Sequence, residues 1–171
     1  MSIANIWKKS ALIDIEASGL MKGSFPVEAG WYVDGVFGHQ IIDPSKHWDT
    51  NKWDIDAEAM HGLSLQLLIS KGTHPVKVAA HLNRALTGKV VFSDSPELDA
   101  AWLDDLYQKA KMTRGFELES VGRLFGHMGM NATRAYEIFE EVQNSMPSTG
   151  RALVGVRFLK VVIDTAAKEV G

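Results

Sequence analysis

Branched apolar residues dominate the run Ser10–Ala11–Leu12–Ile13–Asp14–Ile15–Glu16, which Ser18–Gly19 ends, and the pattern predicts a central strand. A second strand is expected over Val27 to Val33 and a third over Val36 to Ile42, joined at Asp34–Gly35, a pair that accepts positive φ at both hairpin positions. Asp43 to Asp56 is polar, holds Pro44 and two tryptophans, and reads as an ordered loop; Ala57 to Ser70 reads as short helical turns around His61–Gly62. Pro75 to Leu86 has helical spacing, with Val78, Ala79, Leu82, Ala85 and Leu86 on one face and Pro75 suited to the first turn. Lys89 to Phe92 predicts a fourth strand. Pro96 to Ala110 predicts a helix with Leu98, Trp102, Leu106 and Tyr107 inward. Phe116 to Val121 is a weak fifth strand, Gly122 to Met130 is glycine-rich, and Ala132 to Met146 and Ala152 to Ala167 read as the last helices. This order predicts an α/β fold, one mixed sheet with helices on its faces.

A chain of 171 residues is the size of one domain, so 1–171 is read as a single domain with a short N-terminal extension over residues 1–9. Its 46% hydrophobic and 23% charged residues exclude a disordered or collagen-like chain. At this length folding buries roughly 70% of the extended-chain surface, so no staple is needed. The absence of cysteine removes disulfides, thiolate zinc sites and cysteine nucleophiles together. Apolar runs such as Val161–Val162–Ile163 are too short to cross a membrane, and the polar stretch Met1 to Lys9 is no signal peptide, so a cytoplasmic protein without a membrane partner is expected. The net charge is −3, from 18 basic and 21 acidic side chains. A protein held by nonspecific phosphate contacts usually carries a basic surplus. Either nucleic acid is not the partner, or acidic groups are gathered in one site.

Asp14 and Glu16 stand at i and i+2 on the first strand, hence on one face. Two such carboxylates are tolerable at a wet strand end or with a cation between them, and their hard oxygens suit Mg²⁺ or Mn²⁺. Asp99 falls in the first turn of a helix, where its charge suits the dipole. A sheet that sets the fourth strand beside the first brings Asp99 to Asp14 and Glu16, a constellation suited to two-metal phosphodiester hydrolysis. Trp31, Trp48, Trp53 and Trp102 read as packing or loop anchors; Trp48 and Trp53, in the polar loop, are the two placed to stack on a base or cover a partner. His74, His81 and His127 read as surface or loop residues.

Four stretches resemble the histidine-bearing class of DnaQ-like (DEDD) 3′–5′ exonucleases, which have a ribonuclease-H-like fold. Leu12-Ile13-Asp14-Ile15-Glu16-Ala17-Ser18-Gly19-Leu20 resembles the first motif; Phe25-Pro26-Val27-Glu28-Ala29-Gly30 resembles the segment opening the second strand. Met60-His61-Gly62-Leu63 is similar to the family's His-Gly-Ile/Leu, and Val91 to Asp99 resembles the second motif, ending in its metal-ligand Asp. The similarity in order and spacing runs from about Ala11 to Ile163. The resemblance implies a mixed five-stranded sheet flanked by helices and assigns Asp14, Glu16 and Asp99 to catalysis and to Mg²⁺ or Mn²⁺, with Glu16 orienting the attacking water. It assigns Ser18, Gly19, Leu20, His61, Gly62 and Leu63 to the terminal nucleotide, with Leu20 and Leu63 as base wedges or as plain core. The implied partners are 3′ ends of single-stranded DNA or RNA, short oligonucleotides or nucleotides; a homodimer is left open.

The third motif departs from this pattern. The family has a general-base His before Arg-Ala-Leu and a fourth metal Asp five residues after it. Here Ser148 to Leu159 reads Ser-Thr-Gly-Arg-Ala-Leu-Val-Gly-Val-Arg-Phe-Leu, with Gly150 and Gly155 at those places. Glycine inside an apolar helix costs ~1 kcal/mol relative to alanine. A close approach to the opposite strand or an abandoned ligand explains Gly155. Asp164 is nine residues further, ~13.5 Å along a helix, and out of reach. Asp94 and Glu97 lie near enough to Asp99 to serve as ligands, Glu97 being the better placed. The expected function is therefore an exonuclease homologue with weakened metal binding and impaired catalysis. The alternatives are an active nuclease with a rearranged site and a non-catalytic structural or protein-interaction domain.

Overall fold

The computed structural model describes residues 5–6, 8–146 and 149–171. Residues 1–4 and 7 of the expected extension, and Ser148 at the head of the third motif, lie outside the described residues. Five strands, β1 (Ser10–Ala17), β2 (Pro26–Val33), β3 (Val36–Ile41), β4 (Val90–Ser93) and β5 (Glu117–Ser120), form one sheet in the order β3-β2-β1-β4-β5. β1–β2 and β2–β3 pair antiparallel; β1–β4 and β4–β5 pair parallel. The mixed five-stranded α/β sheet is the architecture expected from the order of elements. Asp34 and Gly35, at φ 48° and 86°, make the tight β2–β3 turn.

The helices are α1 (Ile55–His61), α2 (Leu65–Lys71), α3 (Pro75–Leu86), α4 (Pro96–Ala110), α5 (Val121–His127), α6 (Ala132–Ser145) and α7 (Ala152–Val170). Alternation along β1 divides the core. Ala11, Ile13 and Ile15 pack under α3 and α4, while Leu12 joins Tyr32 and Phe92 under α5, α6 and α7. Asp14 and Glu16 continue the row of Leu12 and are half-buried, on a strand otherwise buried. Ile6 is buried in the same core as Leu12.

Two expectations are corrected. Leu98 is 45% exposed; the inward face of α4 is Asp99, Leu103, Leu106, Tyr107 and Ala110, and Trp102 is only partly buried beside it. The buried carboxylate takes the place that hydrophobic spacing assigned to leucine. The glycine-rich stretch after β5 is partly helical, because Ser120 accepts the Gly122 N–H as a cap and Val121, Leu124 and Phe125 share one buried face. Trp48 and Trp53 are anchors. Trp48 stacks on Phe25 at 5.7 Å and donates to Asp105, and Trp53 donates to Glu58 at 2.6 Å. The loop is also closed by a contact between His47 Nε2 and His74 Nε2, 3.1 Å apart, while His74 Nδ1 accepts the Val76 N–H at the start of α3. Among the described residues, no helix is long and apolar enough to cross a membrane.

Candidate functional site

Parallel pairing of β1 with β4 (Leu12 opposite Phe92) sets the carboxyl ends of both strands side by side. Asp14 and Glu16 project from β1, Asp94 follows β4 directly, and Asp99 enters from the first turn of α4. One oxygen each from Asp14, Asp94 and Asp99 lies within 4.8 Å of the others. Asp99 is 1% exposed; Ser93 Oγ donates to it, and the Ile15 backbone N–H also bonds it. Glu16 lines the same cleft as Asp14 and Asp94, outside the tight trio. Of the two extra candidate ligands, Asp94 joins the cluster, whereas Glu97, in the first turn of α4 but on its exposed side, faces solvent. Asp164 pairs with Lys160, and His127 is an exposed residue ending α5.

The cluster is electrostatically strained. Burial, then the charges of Asp99, Glu16, Asp94 and Glu28, hold the Asp14 carboxyl well above the usual carboxylate range. Burial and the Glu28 and Asp99 charges push Glu16 up to about 7, against the pull of Arg151. Burial pushes Asp99 up to about 7 despite the Ser93 hydrogen bond. Burial also raises Asp94, its own N–H and that of Ser95 opposing. Like charges crowded this closely at the strand ends must either take up protons or share a cation. Hard, converging carboxylate oxygens fit a divalent ion such as Mg²⁺ or Mn²⁺.

The opposite wall is the start of α7. It closes a cleft of about 180 Å³ that Gly150, Arg151 and Gly155 line together with Asp14, Glu16 and Asp94. A Cβ on Gly155 would lie 2.8 Å from Asp14 Cγ and nearer still to Oδ2. The close approach anticipated at Gly155 is thus to the Asp14 side chain rather than to strand backbone. A Cβ on Gly150 would lie 2.9 Å from the Met60 carbonyl carbon and oxygen, and the Gly150 N–H donates to that oxygen at 3.2 Å. Gly30 lets β2 approach α7, since a Cβ there would lie 2.5 Å from the Ala152 carbonyl carbon.

Glu28, which falls in the segment resembling the family's second-strand opening but has no role assigned there, is a buried polar hub. It is 0% exposed, it accepts from Arg151 Nε (2.9 Å) and Nη2 (2.7 Å) and from the Ala152 N–H (3.0 Å), and His39 Nδ1 lies 3.1 Å from it. Burial alone would raise its pKa; the Arg151 and Ala152 hydrogen bonds outweigh that and hold it below its ordinary value. A lone acid in the apolar run Val27–Glu28–Ala29 was the available signal.

The residues expected at the terminal nucleotide are arranged unevenly. Ser18 is buried and structural: its Oγ accepts the Phe25 N–H at 3.0 Å, and its carbonyl accepts the Asp54 N–H at 2.9 Å. Gly19 allows that approach, because a Cβ would lie 2.9 Å from Asp54 Cβ. Leu20, 78% exposed, borders an apolar pocket of about 230 Å³ beside Glu16, with Met60 and Trp102 on its wall. Leu63 is 2% exposed and packs with Phe25, Val27 and Leu68, so its role is core packing and not a base wedge. His61 is buried on the same pocket; its Nδ1 accepts the Leu63 N–H at 3.0 Å, its Nε2 has no full hydrogen bond among the described residues, and burial lowers its pKa. Gly62, at φ 68°, ends α1 in the left-handed region.

No protein-family model and no curated protein sequence matches this chain. Solved structures of exonuclease I do match its fold. The zinc-bound form of the E. coli exonuclease I–ssDNA complex superposes with a TM-score of 0.70 at 11% identity, over 94% of this chain and 40% of that one. E. coli exonuclease I in complex with a dT13 oligonucleotide gives 0.66 at 10%, over 92% and 40%. A product-bound exonuclease I gives 0.65 at 10%, over 94% and 44%. The mixed sheet flanked by helices is the ribonuclease-H-like fold that exonuclease I has. The chain spans about 40% of the length of these structures.

Proposed function

We propose that this chain is a single-domain DnaQ-like 3′–5′ exonuclease homologue. It binds the 3′ end of single-stranded nucleic acid, or a short oligonucleotide, at a divalent-cation site and is impaired in hydrolysis. The observation that carries this reading is the convergence of Asp14, Asp94 and Asp99 within 4.8 Å, opposite a helix start bearing only glycine at positions 150 and 155. Asp14, Asp94 and Asp99, with Glu16 beside them, would hold Mg²⁺ or Mn²⁺, whose chemistry when bound is to polarise a phosphoryl oxygen. Glu16 faces the cleft as the group to orient a water. Gly150 offers no proton acceptor, and loss of a general base typically costs ~10²–10⁴ in rate. Leu20, Met60 and Trp102 form an apolar wall beside Glu16 on which a terminal base stacks, with Gly19 and His61 completing the pocket. The single-stranded DNA seen with exonuclease I supports single-stranded DNA as the ligand class.

The test is to mix labelled single-stranded DNA and RNA with the protein and Mn²⁺, following anisotropy and product together. Mn²⁺-dependent binding that Asp14→Ala abolishes, without matching product formation, is expected. Turnover by the unaltered protein that Asp14→Ala abolishes would instead identify a working enzyme.

A further inference from the structure

The cleft has one feature that metal carboxylates do not explain. Arg151 is the cation among its described lining residues, and its charge interacts with those of both Glu28 and Glu16. Two of its three guanidinium nitrogens, Nε and Nη2, are bound fork to fork by the buried Glu28 carboxylate. Nη1 has no hydrogen-bond partner among the described residues. The side chain keeps 36% of its surface open. Its charge reaches into the cleft, where it opposes the rise of the Glu16 pKa. Glu28 also takes the Ala152 N–H, so the same carboxylate locks the Arg151 side chain to the start of α7. A guanidinium fixed in this way loses little further freedom when it donates to a ligand.

We propose that Arg151 Nη1 is a phosphate-binding group, and that it makes the cleft selective for a nucleotide's phosphate over the uncharged nucleoside. The inference rests on the proposed function, because the carboxylates repel an anion unless a divalent cation offsets them. With the cation bound, a phosphoryl oxygen turned away from the carboxylates meets Nη1. Arg151 donates hydrogen bonds and takes no proton, so it holds a phosphate without replacing the absent base. The cleft then retains the product-like species, a nucleoside 5′-monophosphate or the terminal nucleotide of a strand.

Calorimetry in Mn²⁺ with thymidine 5′-monophosphate and with thymidine reads this directly. The unaltered protein should bind the monophosphate the more tightly, and Arg151→Gln should reduce that preference, read as the ratio of the two affinities within each protein, roughly ten- to a hundredfold. Arg151→Lys keeps the charge without the fork and should retain an intermediate preference. Thermal melts identify any variant that does not fold, and in that case the Lys variant carries the comparison. If Arg151→Gln folds and keeps the full preference, the Arg151 assignment is wrong while the cation site stands. If the unaltered protein binds neither ligand in Mn²⁺, the proposed function itself fails.

Discussion

The Asp14 carboxylate fills the space that any side chain at Gly155 would need, with a Cβ there only 2.8 Å from Asp14 Cγ. Gly155→Asp alone should therefore give no gain in hydrolysis, because the new carboxylate must first displace Asp14, and position 150 still lacks a base. A labelled-oligonucleotide assay in Mn²⁺ checks this; restored turnover from the single substitution would refute it.

Gly30 is where β2 and α7 touch backbone to backbone. Neither the β2 backbone nor the helix start has a flexible atom to yield. Gly30→Ala should cost about 1–3 kcal/mol, the usual penalty of overpacking. Urea denaturation measures it, and a neutral or stabilising result would show that the contact relaxes cheaply.

On the proposed function, protonation and cation binding would compete at the acidic cluster. Glu16 and Asp99 are held up to about 7, against ~4 for carboxylates in an unfolded chain. Raised folded values mean a stabilising contribution fully present below pH ~4 and lost as pH rises through about 7. On the proposed function, a divalent ion would replace the lost protons above that range. Mn²⁺ should raise the melting temperature more at about pH 8 than at about pH 5. Equal shifts at both pH values would speak against ion binding by this cluster.

Glu28 has the opposite sign. Its folded pKa lies below 4.5, so its contribution is present above the unfolded value and is lost as pH falls through the folded one. Glu28→Gln should cost about 2 kcal/mol at neutral pH, moderated because Arg151 is partly wet, and should make the acid limb of the stability curve shallower. Stability against pH for both proteins tests the sign as well as the size.

Much of the fold is readable from the chain because its signals are local. The Asp34–Gly35 turn, the proline at the start of α3 and the alternation on β1 each act within a few residues. Asp14 and Glu16 are conspicuous as carboxylates on an apolar strand, whereas Asp99 looks like an ordinary first-turn acid until β4 is set beside β1. Asp94, rather than Glu97, depends on how the end of β4 turns into α4, which no spacing rule specifies. Arg151 and Glu28 stand 123 residues apart in sequence, and their pairing exists only once α7 lies across β2. The exposure of Leu98 has the same origin: α4 turns its buried face to deliver Asp99.

The most direct measurement is a titration of Mn²⁺ into the unaltered protein and Asp14→Ala, following the loss of the free-ion paramagnetic resonance signal. Saturable uptake by the first and its disappearance in the folded variant are predicted. A folded, unaltered protein that leaves all the Mn²⁺ free in solution at neutral pH would contradict the account.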